Sequence, residues 1–191
     1  MKTQFKFDLQ MLNKAFDFSK KSKAEKRKVG AVIVDMATES IISSGYNKMF
    51  DYSRTNDCEN HLGDTYECVI HAEELAVINM FKLPEYSQIV SKHLKTIFCT
   101  YSPCMNCCKL IAHAGITKVV YFEEHKTNFV TREIVDGFSP KEFLQELGIE
   151  IVKYNKSTVF NTVVDFKFVR NTREKLKPKP RFKKYDNSET I

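Results

Sequence analysis

His71-Ala72-Glu73 and Pro103-Cys104-Met105-Asn106-Cys107, with Cys104 standing 33 positions on from His71, are the two runs around which the rest of the chain is organised. One imidazole and two thiols are three zinc-type ligands. Three protein ligands leave the fourth tetrahedral position open, which separates a catalytic zinc from a closed structural one. A water in that position has its pKa brought from about 15.7 to about 7. Glu73, two residues after His71, is placed to move protons between such a water and a bound substrate. The plainer alternative is a histidine capping an ordinary core helix and cysteines serving as small buried hydrophobes. A lone Cys-x-x-Cys would leave that alternative strong, or would suggest a redox motif. Both runs together, each followed by an apolar helical pattern, favour the metal.

Outward from these runs, the pattern alternates helix and strand. Residues 7–22 read as an amphipathic helix, with Leu9, Leu12 and Phe16 at spacings of three and four. The basic run Lys20-Lys21-Ser22-Lys23 with Lys26-Arg27-Lys28 ends it, as a solvated turn in preference to a phosphate contact. Residues 29–34 and 41–46 form an expected antiparallel hairpin. Residues 48–68 show no sustained period and read as a long loop, a length that is usually functional inside a compact domain. Residues 70–81 are helical, with Ala72, Leu75, Ala76, Ile78 and Asn79 along one side. Strands are expected over 95–100, 117–122 and 149–153. Helices are expected from the second ligand run to about Ala114, and from the capping box Ser139-Pro140-Lys141-Glu142 through Leu147. Residues 158–169 could add an edge strand. This order implies a mixed sheet of five strands with helices on both faces. It also explains the ligand spacing: two helix starts converge on one ion, and Cys104 and Cys107 share a helical face. The partial positive charge of those helix starts favours thiolate.

At 191 residues, 42% hydrophobic and with 15 Phe, the chain suits one domain with a full core. We expect a domain over 1–166 and a separate tail over 167–191. No apolar run approaches the ~18 residues of a membrane span. Residues 1–8 have no apolar signal-peptide core, so a cytoplasmic setting is expected, with the six cysteines reduced. The net charge of +6 is localised. Residues 1–166 hold 21 Lys/Arg and 21 Asp/Glu, whereas 167–191 hold 9 and 3, so the excess lies in the tail. Its lysines and prolines, without apolar period, suggest an exposed, partly disordered segment.

The His-x-Glu and Pro-Cys-x-x-Cys pair is the pattern of zinc nucleobase deaminases. The chain resembles the cytidine deaminase superfamily, and most of all the deoxycytidylate (dCMP) deaminases. The likeness covers roughly residues 8–154. Besides the ligand runs it rests on Lys28-Val29-Gly30-Ala31-Val32-Ile33, on Ser44-Gly45-Tyr46-Asn47, on residues 114–121 and on the insertion ending Tyr66-Glu67-Cys68-Val69-Ile70-His71. The resemblance implies a three-layer α/β/α fold and hydrolysis of dCMP to dUMP plus ammonia. It assigns zinc to His71, Cys104 and Cys107, and proton transfer to Glu73. It further implies that the Ala72 N–H binds the base carbonyl, that Asn47 binds sugar or base, and that Tyr101 packs on the cytosine ring, with a strand-end core tyrosine as the equal alternative. Many relatives form homo-oligomers regulated by dCTP and dTTP with Mg2+. Two departures bear on that regulation: Lys48 replaces the family's Gly after Tyr-Asn, and Leu75 replaces its Asn two residues past the Glu. Lys48 and Arg54 are candidate phosphate contacts, or solvated loop charges.

Cys58-x-x-His61 with Cys68 supplies loose ligand spacing for a second, structural metal. Two further functions stay open. Tyr101-Ser102-Pro103-Cys104 and the basic tail would suit a cytosine or adenine deaminase acting on a polynucleotide, although the neutral body offers no charged groove. A nucleotide-binding scaffold on the same fold is the other, and it would have no need of Glu73.

Overall fold

The computed structural model describes residues 2–51, 55–84, 94–124 and 139–154. Helix α1 spans Lys2–Ser19 and is followed by the hairpin strands β1 (Gly30–Asp35) and β2 (Ser40–Tyr46). Two short strands, β3 (Lys48–Met49) and β4 (Val69–Ile70), lead to α2 (Ala72–Phe81). Then come β5 (Lys95–Tyr101), α3 (Met105–His113), β6 (Lys118–Glu123), α4 (Pro140–Glu146) and β7 (Glu150–Lys153). The main sheet has the order β2-β1-β5-β6-β7. Its β2/β1 and β1/β5 pairs are antiparallel, and β5/β6 and β6/β7 are parallel. This is the expected mixed five-stranded sheet.

The central strands β1, β5 and β6 are buried along most of their length because both faces are covered, whereas the edge strands β2 and β7 are partly exposed. Alternate residues point to opposite sides. Val32, Val34, Phe98, Val120 and Phe122 meet Leu9, Leu12 and Ala15 of α1. Ala31, Ile33, Ile97, Cys99, Val119 and Tyr121 meet α2, α3 and α4 through residues such as Ala76, Met80, Ile111 and Leu144. Each Val, Leu, Ile, Phe or Met among them contributes roughly 1.5–3 kcal/mol by leaving water.

Several boundaries differ from the sequence reading for identifiable reasons. Helix α1 starts at Lys2 because Phe5 and Phe7 extend its buried face: Phe5 lies 5.4 Å from the Tyr154 ring and Phe7 edge-on to Phe98 at 6.2 Å. Buried Asp8 secures the same end, accepting from Gln4 Nε2 and from the Tyr154 hydroxyl. The stretch 48–68 is not wholly loop, since β3 and β4 pair as a two-stranded ribbon and Glu59 bridges Thr65. Two-residue strands carry no period to read. In α2 the buried face is Ala72, Glu73, Ala76, Val77 and Met80, so the stripe expected through Leu75, Ile78 and Asn79 is displaced. The proposed strand over 158–169, Arg54, the boundary at 166 and the basic tail all lie outside the described residues. Among the described residues no helix is long and apolar enough to cross a membrane.

Two glycines set how closely the helices approach the sheet. A Cβ on Gly30 would stand 2.0 Å from Ala15 O, and one on Gly45 would stand 2.2 Å from Ala72 O and 2.5 Å from Ala76 N. Helix α2 therefore rests its backbone on β2, and it is fixed there by hydrogen bonds from Ser43 Oγ to Ala76 O and from Asn79 Nδ2 to Ser44 O. Gly45→Ala must push α2 off the sheet, because the atoms it meets are backbone. We expect it to lower stability by about 3 kcal/mol in denaturant titration, the upper part of the range for overpacking. Zinc occupancy of the purified variant should fall with it, because α2 carries His71.

Candidate metal centre and active site

His71 is the N-cap of α2, in extended conformation, with its backbone N–H donated to Glu74 Oε2 at 3.3 Å. Cys104 is the extended N-cap of α3, and Cys107 lies within the first turn. Both caps place their side chains ahead of a helix start, at the carboxyl end of β5. His71 Nδ1 stands 3.5 Å from Cys104 Sγ and 3.5 Å from Cys107 Sγ. Among the described residues this is the one group of three potential ligands whose atoms lie within 4.8 Å of one another. A tetrahedral zinc with ordinary Zn–S and Zn–N lengths puts nitrogen and sulfur about 3.6 Å apart, so the donor set and its spacing fit the ion. Three ligands leave one position for a water or substrate atom. Cys107 is buried, Cys104 half-buried and His71 exposed, so the centre is reached from the histidine side.

The metal-free electrostatics of the centre are those of a cation site. The bond with Cys104 raises the His71 pKa to about 9, with Glu73 adding to it and burial opposing. Cys104 is brought down to about 4, first by the hydrogen bond from the Cys107 thiol, with His71 assisting and burial opposing. Cys107 is pushed up, because its proton is held by Cys104 and the group is buried. A thiolate thus sits beside an imidazolium, and a divalent cation would replace their protons. Glu73 is only 4% exposed. Burial raises its pKa to about 7, and its Oε2 lies 3.8 Å from Cys107 Sγ. A carboxyl poised near neutrality next to an open metal position can both accept and return a proton. Cys99 and Cys108 are thiols of the apolar core, held protonated by burial.

The remaining residues singled out in the sequence divide. Ala72 opens α2, so its N–H is among those without an acceptor inside the helix. Asn47 has both ends of its amide on backbone: Oδ1 accepts from Val29 N at 2.8 Å and Nδ2 donates to Arg27 O at 2.9 Å. It fastens residues 27–29, and each end keeps one further hydrogen-bonding position. Tyr101 ends β5, half-buried, with its pKa raised to about 12 by burial and by Glu123. The Arg27 guanidinium lies over its ring, 5.7 Å from the centroid. This pair spans distant parts of the chain, and nothing in the local pattern of 26–28 distinguishes it from a solvated turn. Lys48 pairs with Asp51 and lines a separate cavity of about 190 Å³ with Lys21, Lys23, Tyr46 and Asn56, none of them a metal ligand. Cys58, His61 and Cys68 do not form a ligand group. Cys58 is buried with Ala24, Met49 and Val69, Cys68 approaches Met49 Sδ at 3.3 Å, and His61 is exposed.

Comparison with known proteins agrees with this geometry. The dCMP deaminase of the cyanophage S-TIM5, solved in complex with dCMP and dUMP, is 35% identical, with a TM-score of 0.64 over 78% of this chain and 96% of that one. A probable deoxycytidylate deaminase of Drosophila melanogaster is 28% identical over 161 residues, 78% of this chain and 71% of its own. The human deoxycytidylate deaminase is 32% identical over 120 residues, 58% of this chain and 61% of the human one. Residues 6–123 match the family described as the cytidine and deoxycytidylate deaminase zinc-binding region. That match runs unbroken from α1 to the end of β6, through both ligand runs, and it places the chain in the cytidine and deoxycytidylate deaminase family.

Proposed function

We propose that this chain hydrolyses dCMP to dUMP, releasing ammonia. The observation that carries the reading is the buried carboxyl of Glu73 beside three ligand atoms at zinc spacing. The cyanophage relative bound to dCMP and dUMP supplies the substrate class. Bound zinc would act as a Lewis acid that makes water nucleophilic at neutral pH. His71, Cys104 and Cys107 hold it. Glu73 takes the proton from the attacking water and passes it to N3 of the cytosine. It then takes the second proton from the oxygen now bonded to C4 and delivers it to the departing amine, so the C4–N bond breaks as the C4 carbonyl forms. The Ala72 N–H, directed out of the start of α2, meets the base carbonyl. Tyr101 and Asn47 border the base and sugar from the ends of β5 and β2.

Regulation by dCTP and dTTP with Mg2+ in a homo-oligomer belongs to the same reading. The cavity lined by Lys21, Lys23 and Lys48 has the charge for a second nucleotide's phosphates, which would have to displace Asp51 from Lys48.

Zinc-loaded protein incubated with dCMP should show the ultraviolet change from cytosine to uracil. Turnover on a single-stranded oligonucleotide but not on dCMP would overturn the substrate. Glu73→Ala should lower kcat at least about 100-fold while zinc stays near one per chain, since positioned proton transfer is worth roughly 10²–10⁴. A variant retaining most activity would remove Glu73 from the chemistry. Cys104→Ala should lose metal and stability together.

The raised pKa of Glu73 also has a stability consequence. Below its ordinary value of 4.5 both folded and unfolded chains carry the proton, and burial incurs no charge penalty. Between 4.5 and about 7 the unfolded chain ionises first, so stability falls, and above about 7 the full penalty applies. That penalty is on the order of 3 kcal/mol. Metal-stripped Glu73→Gln should therefore resist denaturant better than the stripped wild type at about pH 8. The two midpoints should converge near pH 4.5, the ordinary glutamate value.

A further inference from the structure

We infer that Arg27 determines specificity by binding the terminal phosphate of the substrate, selecting a nucleoside monophosphate over the free nucleoside. The inference rests on the deaminase reading and adds the residue that reads the phosphate. Its basis is where the fold puts this cation and how firmly. Strand β1 runs antiparallel to β5, with Ala31 opposite Cys99 and Gly30 N donating to Thr100 Oγ1 at 3.1 Å. Residues 27–29 therefore continue past Tyr101 toward Ser102 and Cys104, at the end of the sheet where the metal ligands converge. The segment is fixed on both sides. Asn47 holds Arg27 O and Val29 N, and the Glu59 carboxylate accepts from Glu25 N at 3.0 Å and Lys26 N at 3.2 Å. A turn that only displayed solvated charge would have no use for two polar clamps 12 residues apart in the chain.

The guanidinium itself is half-buried and lies over the Tyr101 ring. Its neighbours Lys26 and Lys48 have carboxylate partners, Asp64 and Asp51, whereas Arg27 has no ion pair among the described residues. Glu123, the nearby acid, is engaged with Tyr101. The ring restrains the side chain and leaves its donors free, so little freedom is lost when it meets a ligand. A planar fork of N–H donors matches a phosphate monoester in bidentate fashion. With the cytosine drawn in against Glu73 and Tyr101 along one edge, the sugar leads outward across the rim and the phosphate toward this fork. Tyr101 is then a positioning residue for Arg27.

The test uses the zinc-loaded full chain and ligands that do not turn over, dUMP and deoxyuridine, followed by calorimetry. The wild type should bind dUMP more tightly than deoxyuridine. Arg27→Ala should weaken dUMP about ten- to hundredfold, the worth of a charged hydrogen bond, and leave deoxyuridine unchanged. Arg27→Lys should restore part of the loss. An oligodeoxycytidylate, which offers phosphodiesters, should bind both proteins alike. Equal losses for dUMP and deoxyuridine would show that Arg27 merely supports Tyr101, and would overturn the inference. So would an unaltered dUMP affinity, or a loss confined to the oligonucleotide. Failure of the deaminase reading appears separately: Arg27-dependent dUMP binding without turnover of dCMP would reject the reaction and uphold the phosphate contact.

Discussion

The 3.5 Å separations between His71 Nδ1 and the sulfurs of Cys104 and Cys107 can be kept only while α2 and α3 begin side by side at one end of β5. Most of the packing on that face of the sheet serves this constraint. Helix α2 is held to β2 at backbone contact through Gly45 and is latched by Ser43 and Asn79. Helix α3 is sunk into the same core through Cys108 and Ile111. The opposite face, where α1 covers Val32, Phe98 and Val120, makes no contact with ligands but keeps β1 and β5 in register. A small slip between these strands would move the 27–29 segment and the Cys104 helix start relative to each other.

That arrangement gathers ionisable groups that hold one another's protons without a metal. Two sulfurs, an imidazole and a buried carboxyl occupy a volume that a cation would organise. Cys104 is brought down to about 4, His71 is raised to about 9 and Glu73 lies between them at about 7, while Cys107 is pushed above its ordinary value. The spread is what a hydrolytic centre requires: ligands that give up protons to a metal, and one acid left near neutrality to carry them. Burial of Glu73 lowers stability and raises its usefulness by the same physical effect, since the low-polarity surroundings that resist its charge also tune its proton affinity.

The centre was legible in the sequence because ligand chemistry is written in residue types at strict local spacings. Three ligands, the acid and the helix starts could be read from His71-Ala72-Glu73 and the Cys-x-x-Cys run. The strands β1, β5 and β6 were equally plain, as apolar runs bounded by polar residues. What was not legible depends on contacts between distant segments. The buried face of α2 includes Glu73, and a charged residue ordinarily marks the outer face of a helix, so the apolar stripe was placed through Leu75 and Ile78 instead. The start of α1 depends on Phe5 meeting Tyr154 across nearly the whole domain. Asn47 reads as a sugar or base contact, and that its amide also secures the backbone at 27–29 depends on a segment 18 to 20 residues away. Cys58, His61 and Cys68 had ligand chemistry without strict spacing, and Cys58 is occupied with apolar neighbours.

The edge strand β2 and its antiparallel neighbour β1 separate the residues that border the site from those that form it. Because β1 runs opposite to β5, its beginning and the end of β2 arrive at the same rim as the metal ligands, the carboxyl end of the parallel strands where open α/β sheets receive ligands. Glu73 and the group His71, Cys104 and Cys107 come from the starts of α2 and α3, helices that rest against the core. Arg27, Asn47 and Lys48 come from strand ends and turns, half-buried at the rim and outside the two core clusters. Lys48 and Leu75, the two departures from the family's pattern, fit this division. Lys48 is accommodated by Asp51 at the rim, and half-buried Leu75 lies along α2 against Gly45. The rim can therefore be re-specified residue by residue, while the centre tolerates only side chains that preserve its spacing and charge.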